Sequence, residues 1–245
     1  MGGSHYSGVM LNADKAVITA LPDSADSLRT IRRYLPALPL EKAAALAEHA
    51  ELRHFKRGDY LYCAGEPITG LWVVTQGVLT GLKFQRDGEG RLVTPIFPGH
   101  CLPTALRVAE VNYFNLFALS DGTALFIPKA PAMRILDDVA CADALHLNTV
   151  KTLFGFTDMV ANMNETSSLT RLKLFIAHYI TYDEFRLEGS TERYRWNMTL
   201  ADLAQFIRVT RPHIQVNLKK PEIARLFSIN RRVLTVHYAD GLRPD

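Results

Sequence analysis

The sequence predicts an α+β protein of two domains: a β-roll of the jelly-roll type (a double-stranded β-helix), then a long helix and a winged helix-turn-helix. Three observations predict it. Residues 54–125 are dense in Val, Leu, Phe, Tyr and Thr and are cut into short runs by glycines at 58, 65, 70, 77, 81, 88, 90, 99 and 122, the pattern of many short strands joined by turns. Residues 138–164 carry apolar side chains at steps of three and four, which over that length asks for a long helix. Met198–Leu218, MTLADLAQFIRVTRPHIQVNL, reads as helix, tight turn, helix. The expected division is a tail over 1–26, disordered or tag-derived, a roll over 27–136, a long helix over 137–165 and a winged unit over 166–245.

The elements follow in order. The opening MGGSHYSG has no charged-then-apolar signal pattern and reads as a tag remnant or a disordered tail. Ser27–Leu35 has a short helical pattern stopped by Pro36 and Pro39, and the alanine-rich Leu40–Glu51 is a good helix by propensity. In the roll, Gly70–Gly77 is a strand ending in a turn, and Arg86–Gly90 is a hairpin tip with Leu92–Phe97 as its return strand. After a short element at Met133–Leu136 the long helix begins near Asp138. Val150, Leu153, Phe156, Val160 and Met163 make a narrow apolar stripe along it. Such a stripe is a seam for a second copy or a face that packs on the chain's own roll, and both can hold along different parts. Ser167–Tyr182 is a further helix with Leu169, Leu172, Phe175, Ile176 and Tyr179 on one side.

Tyr194–Met198 leads as a strand into Thr199, which caps the next helix and is answered three residues on by Asp202, a capping box. Leu200, Leu203, Ala204 and Ile207 share one face of that helix. The periodicity breaks at Arg208-Val209, and Thr210 caps a second helix in which Pro212 occupies the first turn, where a missing N–H costs nothing. Ile214 and Leu218 give this helix a buried face. Glu222–Phe227 continues helically, and Ser228–Asn230 with Val233–His237 pair as a wing across Arg231-Arg232.

Composition narrows the function classes. A chain of 245 residues with 48% hydrophobic and 22% charged residues has the make-up of a globular protein with a core in each half. The net charge of +3 is unevenly placed: residues 199–245 hold eight Lys/Arg against four Asp/Glu, and residues 1–198 hold twenty against twenty-one. The excess at the helix-turn-helix end suits a polyanionic partner, or is a solvated basic tail. Cys63, Cys101 and Cys141 are too far apart for a metal knuckle and odd in number, which fits a reducing cytoplasm. No apolar run approaches a membrane span. The eight histidines are scattered without a His-x-His pair, and no nucleophile arrangement or phosphate-cradling glycine loop is visible. The chain is therefore expected not to be an enzyme, a cupin-like metal roll being the weaker alternative, and no metal or cofactor is expected.

Three stretches resemble the Crp/Fnr superfamily of transcription regulators: Phe55–Glu66 with its basic-Gly-Asp turn, Gly70–Leu79, and Met198–Leu242 with Leu203-Ala204, Thr210-Arg211, Leu218-Lys219-Lys220 and Asp240-Gly-Leu242 at the family's spacings. The resemblance spans roughly residues 27–242. It implies a cyclic-nucleotide-binding-like roll, a homodimer about the long helix, and double-stranded DNA as partner, read as a near-palindromic site. RNA polymerase is a further partner it implies. A chain whose roll acts through protein contacts, with a degenerate DNA-reading head, is the alternative.

The departures from that family shape the expectations. Its cyclic-nucleotide binders carry Gly-Glu and then Arg-Ser/Thr-Ala, the acid for the ribose and the arginine for the phosphate. Here Leu102-Pro103 stands at the Gly-Glu place, no such triplet follows, and Arg107 lies too early. A buried phosphate without a cation is costly, so cyclic AMP or GMP is not expected in the usual mode. Leu102, Pro103, Thr104, Tyr113, Phe114 and Phe117 are the candidates to line a pocket for a small apolar or aromatic effector, unless these rings simply fill the roll. The family's iron–sulfur members need four cysteines, more than this chain has; a haem-type histidine would be His100. In the reading head Pro212 and Val216 replace the family's glutamate and second arginine. Thr199, Thr210, Arg211, His213, Gln215, Lys219, Lys220, Arg231 and Arg232 are the expected DNA-binding residues, with Arg211 for a guanine edge or phosphate, Gln215 for adenine and the lysines and wing arginines for phosphates. His213 reaches DNA or caps the contact between helices. Arg208, where the family prefers glycine, is expected to change the shape of the turn.

Overall fold

The computed structural model describes residues 24–242 apart from Asp87 and Thr104; most of the expected N-terminal tail lies outside this range. Two helices, α1 (Ser24–Tyr34) and α2 (Leu40–Ala47), precede eight strands: β1 (Glu51–Phe55), β2 (Tyr60–Tyr62), β3 (Gly70–Gln76), β4 (Leu79–Phe84), β5 (Gly90–Ile96), β6 (Cys101–Leu102), β7 (Asn115–Ala118) and β8 (Gly122–Pro128). They form two four-stranded antiparallel sheets, ordered β1-β8-β3-β6 and β2-β7-β4-β5. The expected helix over 40–51 stops at Ala47, and Glu51 already pairs with Phe126 in the sheet. Sheet pairing decides that end against helix propensity.

The alternation within β3 and β8 explains why these strands read as unbroken apolar runs. Leu71, Val73, Leu125 and Ile127 face outward and are buried under α1, α2 and the helices that follow the roll. Trp72, Val74, Ala124 and Phe126 face inward and meet Phe55, Leu79, Ile96 and Leu116. A sheet covered on both faces needs apolar side chains at every position. At the turn after β3 the chain reverses through Gly77 at φ 88°, where a Cβ would lie 2.7 Å from the Asp121 carbonyl oxygen, so only glycine fits.

After the roll come α3 (Lys129–Leu136), α4 (Val139–Met163) and α5 (Ser168–Tyr179). Asp138 caps α4 and Ser167 caps α5 through backbone N–H groups. The remaining elements are a 3-10 turn at Asp183–Phe185, β9 (Arg193–Arg195), α6 (Leu200–Phe206), α7 (Arg211–Leu218), α8 (Pro221–Ala224), β10 (Phe227–Asn230) and β11 (Val233–Val236), with the wing sheet ordered β10-β11-β9. The helix expected over 222–227 ends at Ala224, because Phe227 pairs with Val236 as the first residue of the wing.

The two halves share a core. Val78, Phe97 and Leu119 of the roll are fully buried in the same cluster as Leu172, Phe175, Ile176 and Tyr179 of α5 and Met159 of α4. Phe97 has Tyr179 and Phe185 edge-on to it at 5.5 and 5.6 Å. Tyr34 and Arg33 of α1 both reach Glu184, at 3.1 and 2.8 Å.

Candidate nucleic-acid interface

The helix-turn-helix is built from two capped helices and a closed turn. Thr199 Oγ1 accepts from the Asp202 N–H at 3.1 Å, and Asp202 Oδ2 accepts from the Thr199 N–H at 2.7 Å, so the capping box of α6 is complete. At the other end the Arg208 N–H donates to the Gln205 carbonyl and the Val209 N–H to the Ala204 carbonyl at 2.9 Å. This pair of bonds is a Schellman closure, which requires a left-handed residue after the cap. Arg208 takes that place at φ 54°. The expectation that an arginine there would alter the turn is therefore corrected: closing the orphan carbonyls outweighs the roughly 1–2 kcal/mol cost of a left-handed L-residue. Arg171 of α5 adds a donor from Nε to the Ile207 carbonyl at 2.8 Å and spans to the carbonyls of Glu165 and Thr166.

The surface of α7 divides into rows. Ile214 and Leu218 pack inward. His213 and Asn217 turn to α5, with His213 Nε2 2.9 Å and Asn217 Nδ2 3.1 Å from Ser168 Oγ. His213 thus makes a contact between helices while its side chain stays exposed. Arg211, Gln215 and Lys219 form an exposed polar row at four-residue steps, and Pro212 with Val216 an exposed apolar row beside it, Val216 being 61% exposed. Thr210 spends its hydroxyl on the cap, accepting from the His213 N–H. Lys219 closes α7 and Lys220 caps α8. Arg231 and Arg232 are exposed at the two-residue tip of the wing, Arg231 at φ 56°. Between the β4–β5 hairpin and the turn runs an open cleft of about 1020 Å³ lined by Lys83, Arg91, Gln205, Arg208 and Thr210 among others.

Of the residues expected to line an effector pocket, Leu102 and Phe114 share the inner core of the roll, whereas Phe117 and Tyr113 lie elsewhere. Leu102 is 2% exposed, pairs with Trp72 and belongs to the inner core of the roll. Pro103 is buried beside it, and Thr104 lies outside the described residues. Phe114 packs on that same core with its ring 6.0 Å from Tyr62. Phe117 instead packs on the cluster shared with α5 and stands 5.1 Å from Tyr60. Tyr113 is 79% exposed under the Lys83 ammonium, which holds its hydroxyl pKa below the usual value. Phe117 lies in β7, whereas Tyr113 and Phe114 lie in the bend that precedes it, so rings close in sequence part company in space. Arg107 donates to the Leu136 carbonyl at 2.8 Å. His100 lies at the junction of roll, α4 and α5, its ring 5.5 Å from Phe156. Burial, with His178 close by, pushes its pKa down to about 4.

The apolar stripe of α4 splits in two. Phe156 and Met163 face the chain's own cores. Leu153 and Val160 are 58% and 50% exposed, and Val150 is half-buried. Two residues outside the expected stripe join the exposed face: Leu147 at 45% and Phe154 at 65% exposure. The sequence signal for them was the seven-residue step from 147 to 154, parallel to the step from 153 to 160. Sequence reasoning also missed Arg57, whose guanidinium pairs with Asp202 across 145 positions of chain.

Residues 52–138 match the cyclic nucleotide-binding domain family. No curated protein sequence matches the chain. Among solved structures, FixK2 of Bradyrhizobium japonicum aligns with a TM-score of 0.67 at 16% identity, covering 79% of this chain and 95% of its own. A CRP-family transcriptional regulator of Thermus thermophilus aligns at 0.60 and 13% identity, covering 77% and 93%. The c-di-GMP-responsive global regulator CLP of Xanthomonas campestris aligns at 0.55 and 14% identity, covering 85% and 98%.

Proposed function

We propose that this chain, which has the two-domain fold of the Crp/Fnr regulators, is a DNA-binding transcription regulator that works as a homodimer. The observation that carries the reading is the exposed row Arg211–Gln215–Lys219 on the second helix of a fully capped helix-turn-helix. Such a row presents a guanidinium and an amide to base edges in the major groove, and a lysine to phosphate. The wing arginines Arg231 and Arg232 supply backbone contacts. The exposed Leu147, Leu153, Phe154 and Val160 of α4, with the half-buried Val150, supply the face that a second copy covers. Two copies then set two α7 helices on successive major grooves of a near-palindromic site.

The roll works without a cyclic mononucleotide in the usual mode, because Leu102 and Pro103 occupy the place of the ribose-binding acid and are packed into the core. No helix among the described residues is long and apolar enough to cross a membrane. The reading places the protein in the cytoplasm, beside the DNA it binds.

Selection of bound DNA from a random duplex pool tests the reading. A two-fold symmetric site, lost with Arg211→Ala and bound with a steep inverse dependence on salt, is the expected result. Recovery of no site, with and without cyclic AMP and cyclic di-GMP present, would move the protein to the alternative in which it acts through protein contacts.

A further inference from the structure

The side of α7 turned to solvent is not uniformly polar. Pro212 and Val216 lie one turn apart, both exposed, and flank the row formed by Arg211, Gln215 and Lys219. Neither serves the packing of the domain: Ile214 and Leu218 fill the core, and His213 and Asn217 bond to Ser168. Pro212 and Val216 are not two scattered apolar residues but neighbours on one face of the helix, inside a cationic rim. The rim, Arg211 with Lys219 and Lys220, selects a polyanion as the occupant of this face. Within duplex DNA, the apolar group offered at the base edges of the major groove is the thymine C5-methyl.

We infer that Pro212 and Val216 form an apolar ridge that reads thymine methyl groups, and that Val216 is a specificity-determining residue of the recognition helix. The inference rests on the DNA-reading proposal above and deepens it: the half-site holds a purine step for Arg211 and Gln215 with thymine beside it. On the helix, Val216 follows Gln215 by about 100° of rotation. A thymine taken by Val216 therefore sits next to the base pair that Gln215 addresses. Pro212, at the N-terminal end of the same ridge, lacks the N–H that a first-turn residue leaves unpaired, so this edge of the helix meets the groove without an unsatisfied donor.

The test uses the full-length protein and the half-site recovered by selection. Each thymine of that half-site is replaced singly by deoxyuridine, which removes the methyl group and leaves every hydrogen-bonding group in place. Affinity is measured by fluorescence anisotropy at one salt concentration. Wild-type protein should lose about three- to fivefold at one thymine per half-site, the scale of burying a single methyl. Val216→Ala should lose most of that preference at the thymine next to the Gln215 base pair, leaving any thymine read by Pro212 sensitive, and Val216→Ile should keep it. Because Val216 is exposed, these variants fold like the parent. A selected site in which no thymine is sensitive, or whose sensitivity persists unchanged in Val216→Ala, overturns the inference and leaves the DNA-reading proposal standing. Failure to select any site sinks both.

Discussion

The Arg57 guanidinium, in the first turn of the roll, holds both carboxylate oxygens of Asp202 on α6, Nη1 to Oδ2 at 2.9 Å and Nη2 to Oδ1 at 3.0 Å. Asp202 is the same residue that closes the capping box of the helix-turn-helix. Arg57 is itself held in place: its N–H donates to the Asp121 carboxylate at 2.9 Å, and Nη1 also donates to the Leu119 carbonyl. The roll thus grips the winged unit at the group that starts the first helix of the helix-turn-helix.

Arg57→Gln should destabilise the protein by about 1–2 kcal/mol in urea unfolding. Asp202 has a side chain only 8% exposed and loses its charge partner, but Arg57 is 44% exposed, so solvent screening keeps the cost below the roughly 3–5 kcal/mol of a fully buried pair. Asp202→Ala should cost more, since the cap goes with the pair. A double-mutant cycle should return a coupling near 1 kcal/mol; a coupling of zero would mean that the contact contributes nothing to docking.

Stability should fall on acidification between pH 6.5 and 4. His100 is held neutral by burial, with a pKa near 4, whereas an unfolded histidine titrates at about 6.5. In that window the unfolded chain binds a proton that the folded chain refuses, so stability present above about 6.5 is lost as pH falls and levels off below 4, a change of about 3 kcal/mol. His178, also lowered by burial against the opposing charge of Asp158, adds in the same direction. His100→Gln should flatten the curve of midpoint temperature against pH without abolishing its slope. An unchanged curve would remove His100 from this role.

On the proposed reading, Phe154→Glu should leave the protein monomeric where the parent is a dimer in sedimentation experiments, with the fold intact, because the ring is 65% exposed in the single chain. Phe156→Ala should do the reverse, destabilising each chain by about 1–3 kcal/mol through lost packing on the roll with little change in association. If Phe154→Glu leaves the mass unchanged, the exposed face of α4 is not the seam.

Arg208→Gly should be more stable than Arg208→Ala by about 1 kcal/mol. Both lose the 3.3 Å bond to Asn164, but only alanine keeps the left-handed strain at φ 54°. Thermal unfolding of the pair isolates the backbone contribution. Equal midpoints would show that the turn relaxes around the alanine.

The cap at Thr199 and the strand at Gly70–Gln76 were legible because each rests on neighbours in sequence: a capping box spans three residues, and an apolar run bounded by glycine and a turn announces itself. The stripe on α4 was legible only in part. Periodicity locates apolar residues on a helix but does not say which arc the rest of the chain covers, so Phe156 and Phe154, two residues apart, exchanged roles. The sides taken by the aromatic residues at 113, 114 and 117 were not legible for a related reason, since the bend before β7 and the register of Phe117 in the sheet are not displayed by the sequence. Arg57 lies in the basic-Gly-Asp turn after β1, yet nothing local marks a partner 145 residues away.

The burial of Phe97, Val78 and Leu119 among the side chains of α5 means that swinging the winged unit away from the roll would expose an apolar core common to both. On the proposed reading, the distance between the two reading helices of a dimer then becomes a fixed gauge set by the roll and α4, not by the DNA. Operators lengthened or shortened by one base pair at the centre should be rejected outright, as a caliper rejects a rod of the wrong width, and affinities measured on such a spacer series would display the setting of the gauge.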